Sequence, residues 1–157
     1  MTIQNKFTPE QQIAIGRKVE QLRKIKDGTL DVRELADLIT QKRLAWLRGN
    51  RSLLSGDLGL AEAACRLLFI DEMQVSEGVI VTRISENAVR IESRNFCPYL
   101  EACQRLGMDT RYVCKEIGEP SIVAFFQEID PTLSFRRDYD KIRPHNDCCV
   151  EYLEVAK

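Results

Sequence analysis

The sequence predicts an α+β domain, with helices first and an antiparallel sheet after them. Three observations predict it. Apolar residues recur at helical spacing through the first third of the chain. From Gly78 onward the pattern changes to β-rich alternation. The stretches between the later strands read as helix again. The expectation is a sheet of about four to five strands with short helices inserted. The 157 residues suit a single domain, with a helical part over 1–73 and a cysteine-rich part over 74–157.

Taken in order, Thr8 followed by Pro9 is a good helix start. Ile15, Val19, Leu22 and Ile25 supply the apolar stripe, and Asp27-Gly28 ends the helix. Asp31 with Glu34 resembles a capping pair for a second helix. Its stripe is Val32, Leu35, Ile39 and Trp46, and Gly49-Asn50 closes it. Asp57 is expected to cap a third helix through Ala61, Ala64 and Leu68 to about Met73. Gly78–Ile84 and Ala88–Glu92 form a hairpin around Ser85-Glu86-Asn87. Pro98 to Leu106 returns to helix and stops at Gly107. Asp109 or Thr110 caps a short helix bearing Cys114, and Pro120 opens another around Val123 to Glu128. Leu133–Arg137 and Cys149–Val155 alternate like strands on either side of a polar stretch, Asp138 to Asp147.

The composition is ordinary for a globular chain, 44% hydrophobic and 30% charged, with a formal net charge of −1. No basic excess points to nucleic acid or an anionic membrane. The longest apolar run, Leu67 to Ile70, is far too short for a bilayer span. The N-terminal MTIQNKFTPEQQ lacks the apolar segment of a secretory leader. A cytoplasmic, soluble protein is the expectation. The amphipathic face of the helical part is the expected surface of a homodimer.

Six cysteines in such a chain do not read as a disulfide framework. Cys65 stands in an apolar helix and reads as a small buried hydrophobe. The other five, Cys97, Cys103, Cys114, Cys148 and Cys149, lie at element junctions or on short helices. Such positions can converge, and gathered thiolates hold zinc or a 4Fe–4S cluster. The expected ligands are Cys97, Cys103, Cys114 and Cys149, with Cys148 and His145 in reserve. Cys149 is preferred over Cys148 because strand alternation would put it on the same face as Glu151. A labile disulfide between vicinal Cys148 and Cys149 is a lesser alternative.

Other side chains suggest a ligand. Arg136, Arg137, Arg143 and His145 form a basic group near the last cysteines, and an arginine there could hold a carboxylate. Arg136, Arg137 and Tyr99 are the expected ligand-binding residues, and Tyr139 is a further pocket candidate. Glu101 and Glu116 lie near Cys103 and Cys114 and could act as general bases. Phosphate loops, serine nucleophile elbows and paired-histidine motifs are absent from the sequence.

Four segments carry a family resemblance. They are Asn95-Phe-Cys-Pro-Tyr-Leu-Glu-Ala-Cys-Gln-Arg-Leu-Gly107, Val113-Cys114, Asp130-Pro-Thr-Leu-Ser-Phe-Arg-Arg137 and Asn146-Asp-Cys-Cys-Val-Glu-Tyr152. Together they resemble the L-2-amino-thiazoline-4-carboxylic acid hydrolase-like family and the 4-vinyl reductase domain, over about Phe69 to Val155. The resemblance implies a small-molecule-binding domain that often carries a cysteine metal site. Cys97, Cys114, Arg136 or Arg137, Asp147 and Cys149 fill its pattern. His145-Asn146-Asp147-Cys148 stands where the family usually has Gly-Asp before the last cysteine, and Cys103 and Cys148 are additional thiols.

Three functions follow. One is a ligand- or cofactor-binding domain with a thiolate-held zinc or iron–sulfur centre in a sensing or redox role. A second, implied by the resemblance, is a hydrolase of a thiazoline- or amidine-like ring, with Cys97 or Cys149 as nucleophile or with a metal-activated water. The third is a partner-binding module with a structural zinc.

Overall fold

The computed structural model describes residues 6–156. Residues 1–5, where the expected lack of a leader falls in part, lie outside them. Helix α1 (Pro9–Lys26) begins as its sequence dictates. The Gln11 amide donates to the Thr8 hydroxyl at 3.1 Å, and the Thr8 amide donates to Gln11 Oε1 at 3.0 Å. Pro9 fills the first turn, where a backbone donor is not needed. Helix α2 (Val32–Asn50) is capped by Asp31, whose carboxylate accepts from the Arg33 and Glu34 amides.

Helix α3 (Leu60–Arg66) corrects the expected cap at Asp57. Its N-cap is Gly59, with no side-chain hydrogen bond. A Cβ at Gly59 would stand 2.8 Å from the Glu86 carbonyl oxygen, so packing against the hairpin turn sets this residue. The helix then widens into a π turn over Leu67–Glu72, closed by the Met73 amide on the Leu68 carbonyl. Leu67, Leu68 and Phe69 are all buried in it.

Strands β1 (Val79–Ser85), β2 (Ala88–Ser93), β3 (Leu133–Asp138) and β4 (Cys149–Val155) form one antiparallel sheet in the order β1-β2-β4-β3. The register sets Ser93 opposite Cys149, Ile91 opposite Glu151 and Arg137 opposite Glu151. Alternation therefore puts Cys149, Glu151 and Arg137 on one face with the apolar Val89, Ile91, Leu133 and Leu153. That face packs on α3 and on α6 (Glu119–Ile129) through Leu68, Phe125 and Phe126. The opposite face carries Arg136 and Tyr152.

Helix α4 (Pro98–Leu106) ends at Gly107, which has φ 65° and closes it in the left-handed conformation. The short α5 (Thr110–Val113) is capped by Asp109. Cys114, expected on that helix, instead caps its C-terminal end and opens a second π turn, Cys114–Gly118. Helix α6 starts at Glu119, earlier than the spacing predicts, with Pro120 in its first turn.

The apolar stripe of α1 is spent within the chain. Leu22 joins Leu35, Ala102, Cys103, Val113 and Ile117 in a helical core separate from the sheet core. Polar residues collect where the helical core meets the sheet. No helix of the described residues is long and apolar enough to cross a membrane.

Candidate functional site

The site is built on the register of β3 and β4. Cross-strand partners Arg137 and Glu151 face the helices, and their side chains are only 8% and 5% exposed. Arg137 donates from Nε at 3.2 Å and from Nη2 at 3.1 Å to Glu151 Oε1, and from Nη1 to the Cys114 carbonyl at 3.4 Å. Burial alone would lower the guanidinium pKa, but the Glu151 carboxylate outweighs it and holds Arg137 firmly charged. Glu151 Oε2 and the hydroxyls of Tyr99 and Tyr139 are buried without a hydrogen-bond partner.

Arg143 organises the next layer. It donates from Nε to Cys149 Sγ at 3.3 Å and from Nη1 to the Asn95 carbonyl at 2.7 Å, and its backbone amide reaches the same sulfur at 3.5 Å. It also lines a cleft of about 300 Å³ with Lys6, Arg94, Phe96, Cys97 and Glu101. An adjoining cleft of about 460 Å³ shares Gln11, Arg94, Asn95 and Phe96 with it. The smaller of the two lies at the head of α4, lined by Cys97, Leu100 and Glu101.

Cys97 is the N-cap residue of α4 and makes no capping hydrogen bond. Burial raises its pKa, and the other thiols and charges act in both directions. The Leu100 and Tyr99 amides and the Arg143 charge pull it down, while Cys149 pushes it up. Cys114 is pushed up to about 12, first by burial and then by Cys97, Cys149 and Cys103, against the charge of Arg137.

The thiols do not form a metal centre. Among the described residues, no group of three or more His, Cys, Asp or Glu side chains meets with metal-holding geometry. This corrects the expected set of Cys97, Cys103, Cys114 and Cys149 with reserves Cys148 and His145. Each departure has a local cause. Cys103 is 1% exposed inside the helical core among Leu22, Leu35 and Ile117, and burial pushes its pKa up to about 11. Cys149 accepts hydrogen bonds from Arg143. Cys148 is buried, and the Asn146 side-chain amide faces its sulfur at 3.8 Å. His145 faces Asp109 at 3.7 Å. Two guanidinium groups, Arg137 and Arg143, lie beside the thiols where a cation would have to sit.

The functions built on that centre fall with it. The described residues do not bring together the four-ligand set that structural zinc or a 4Fe–4S cluster requires. The metal-centred sensor, the structural-zinc module and the hydrolase with metal-activated water are overturned together. The lone histidine, His145, stands 3.7 Å from Asp109.

The remaining sequence candidates divide. Arg137 is spent on Glu151, and Tyr99 packs against the helical core; neither lines the cleft at Arg143. Arg136 is on the opposite sheet face, with its guanidinium 4.3 Å from the Tyr152 ring centroid. Cys65 is fully buried in the sheet core, as expected. Glu101 lines the cleft. Sequence reasoning missed Lys6 and Arg94, which line the cleft with Arg143. Comparison of the chain with family models, with curated proteins and with solved structures finds no match in any of the three.

Proposed function

We propose that the chain is a small-molecule-binding domain of the 4-vinyl reductase type, and that it takes a small carboxylate in the cleft at the head of α4. One observation carries this reading. Arg143 is held by Cys149 and Asn95 through two of its guanidinium nitrogens and borders the cleft. An arginine fixed in this way loses little freedom when it binds, and its planar fork suits a carboxylate. Lys6 adds positive charge to the lining, which also holds Glu101 and Arg94, the latter paired with Glu92 at 3.5 Å. A volume of about 300 Å³ suits a small organic acid. The likeness of Asn95–Gly107 and of Asn146–Tyr152 to that domain supports the reading, since both segments border the cleft or the thiols behind it.

The test compares small carboxylic acids with their amides by thermal shift and calorimetry. The acids are expected to raise the melting temperature and the amides are not. Arg143→Met is expected to weaken the acids by about tenfold or more, the usual worth of a hydrogen bond to a charged group. Equal stabilisation by acid and amide, or full affinity in Arg143→Met, refutes the proposal.

A further inference from the structure

A second concavity, of about 340 Å³, lies between α1 and α2 and is separate from the cleft at Arg143. One wall is apolar. Leu35, Leu38, Ile39, Lys42 and Trp46 recur three or four residues apart along α2, so they share a face. Leu38 remains 48% exposed beside the buried Leu35. The Trp46 ring is anchored from behind by Phe125, with ring centroids 6.4 Å apart.

The charges of this groove do not balance. Lys18, Lys42 and Arg43 line it, and Glu72 is the carboxylate among the lining residues. Glu72 Oε2 stands 3.4 Å from Arg43 Nε with no hydrogen bond made by either atom, and Arg43 donates from Nη1 to the Ser121 hydroxyl at 2.7 Å. Lys18 and Lys42 have no ion-pair partner among the described residues. Lys18 donates only to the neutral Gln21 amide at 3.4 Å, and its ammonium stands 4.5 Å from the Tyr99 ring centroid. Burial pushes its pKa down, and Lys42, Arg43 and Arg17 push it further, while Cys97 acts the other way. Two uncompensated cations above an apolar wall describe the complement of an amphipathic anion.

We propose that the groove between α1 and α2 is a second binding site, for a monocarboxylate with a compact apolar body. The carboxylate is set by Lys18 and Lys42, and the apolar body lies against Leu38 and Trp46. The positive charge supplies the headgroup preference, and the anchored indole supplies a flat surface that loses little freedom on contact. This proposal does not depend on the cleft at Arg143.

Trp46 is the single tryptophan of the chain, so its emission reports this groove alone. The experiment titrates the full chain with cyclohexanecarboxylate, which is transparent where tryptophan absorbs. A saturable change in Trp46 emission is expected. Cyclohexanecarboxamide and inorganic phosphate are expected to give none at the same concentrations. Lys42→Gln, at an exposed position, is expected to weaken the acid by about tenfold, and Lys18→Gln likewise. Arg143→Met is expected to leave the emission titration unchanged, which separates this site from the other cleft. The proposal is overturned by a flat titration, by equal responses to acid and amide, by an equal response to phosphate, or by unaltered binding in Lys42→Gln.

Discussion

Replacing Arg137 with Met tests the energetics of the site. Arg137 and Glu151 are 8% and 5% exposed, and both guanidinium bonds to the carboxylate fall on Oε1. Glu151 Oε2 has no partner of its own. Taking away the guanidinium leaves a carboxylate buried beside Ile91 and Leu153 with nothing to balance its charge. Breaking a buried pair in this way costs about 3–5 kcal/mol. For a chain of this length that corresponds to a fall in melting temperature of roughly 6–20 °C. Urea unfolding at pH 7 measures the loss directly. Arg137→Met combined with Glu151→Leu is expected to regain most of the loss, because an apolar pair of similar size is often neutral or better. A cost below about 1 kcal/mol in the single variant, the range of exposed ion pairs, refutes the burial argument.

Three further outcomes are expected. Gly78 has φ 87°, and a Cβ there would stand 2.9 Å from the Asn95 amide nitrogen, so Gly78→Ala is expected to cost about 1–3 kcal/mol in urea unfolding and to weaken carboxylate binding by shifting the carbonyl that holds Arg143. Cys65 and Cys114 are pushed up to about 12 and Cys103 to about 11 from 9.0, chiefly by burial, so their contribution to stability is complete below about pH 9 and is lost as pH rises toward 11–12. Alkaline unfolding midpoints of Cys103→Ala and Cys114→Ala against the parent check this, and an unchanged alkaline slope counts against it. Thr8→Ala is expected to cost about 1 kcal/mol by removing a reciprocal cap, read as a urea midpoint shift.

What the sequence disclosed followed from how local each signal was. Thr8 and Asp31 act on amides two or three residues away, so α1 and α2 were legible with their caps. Asp57 misled because Gly59 is fixed by Glu86, a contact made only after the hairpin packs on α3. The π turns after Arg66 and Val113 had no separate sequence signal. Placing Cys149 on the face of Glu151 needed only strand alternation, and it held. Placing it on a metal failed because the loop from Tyr139 to Cys148 folds back and brings Arg143 onto its sulfur. Cys103 could have been read correctly. It follows Tyr99 by four residues and precedes Leu106 by three, which is the stripe of a buried helical face.

Arg143 is proposed as a fixed anion receptor, in the place where a metal was expected. Nuclear magnetic resonance of the arginine Nε–H groups during titration with a small carboxylic acid tests this most directly. The Arg143 signal is expected to move saturably with the acid and to stay still with the matching amide, while the Arg137 signal, sealed against Glu151, does not move. A stationary Arg143 signal, or one that moves equally with the amide, contradicts the account.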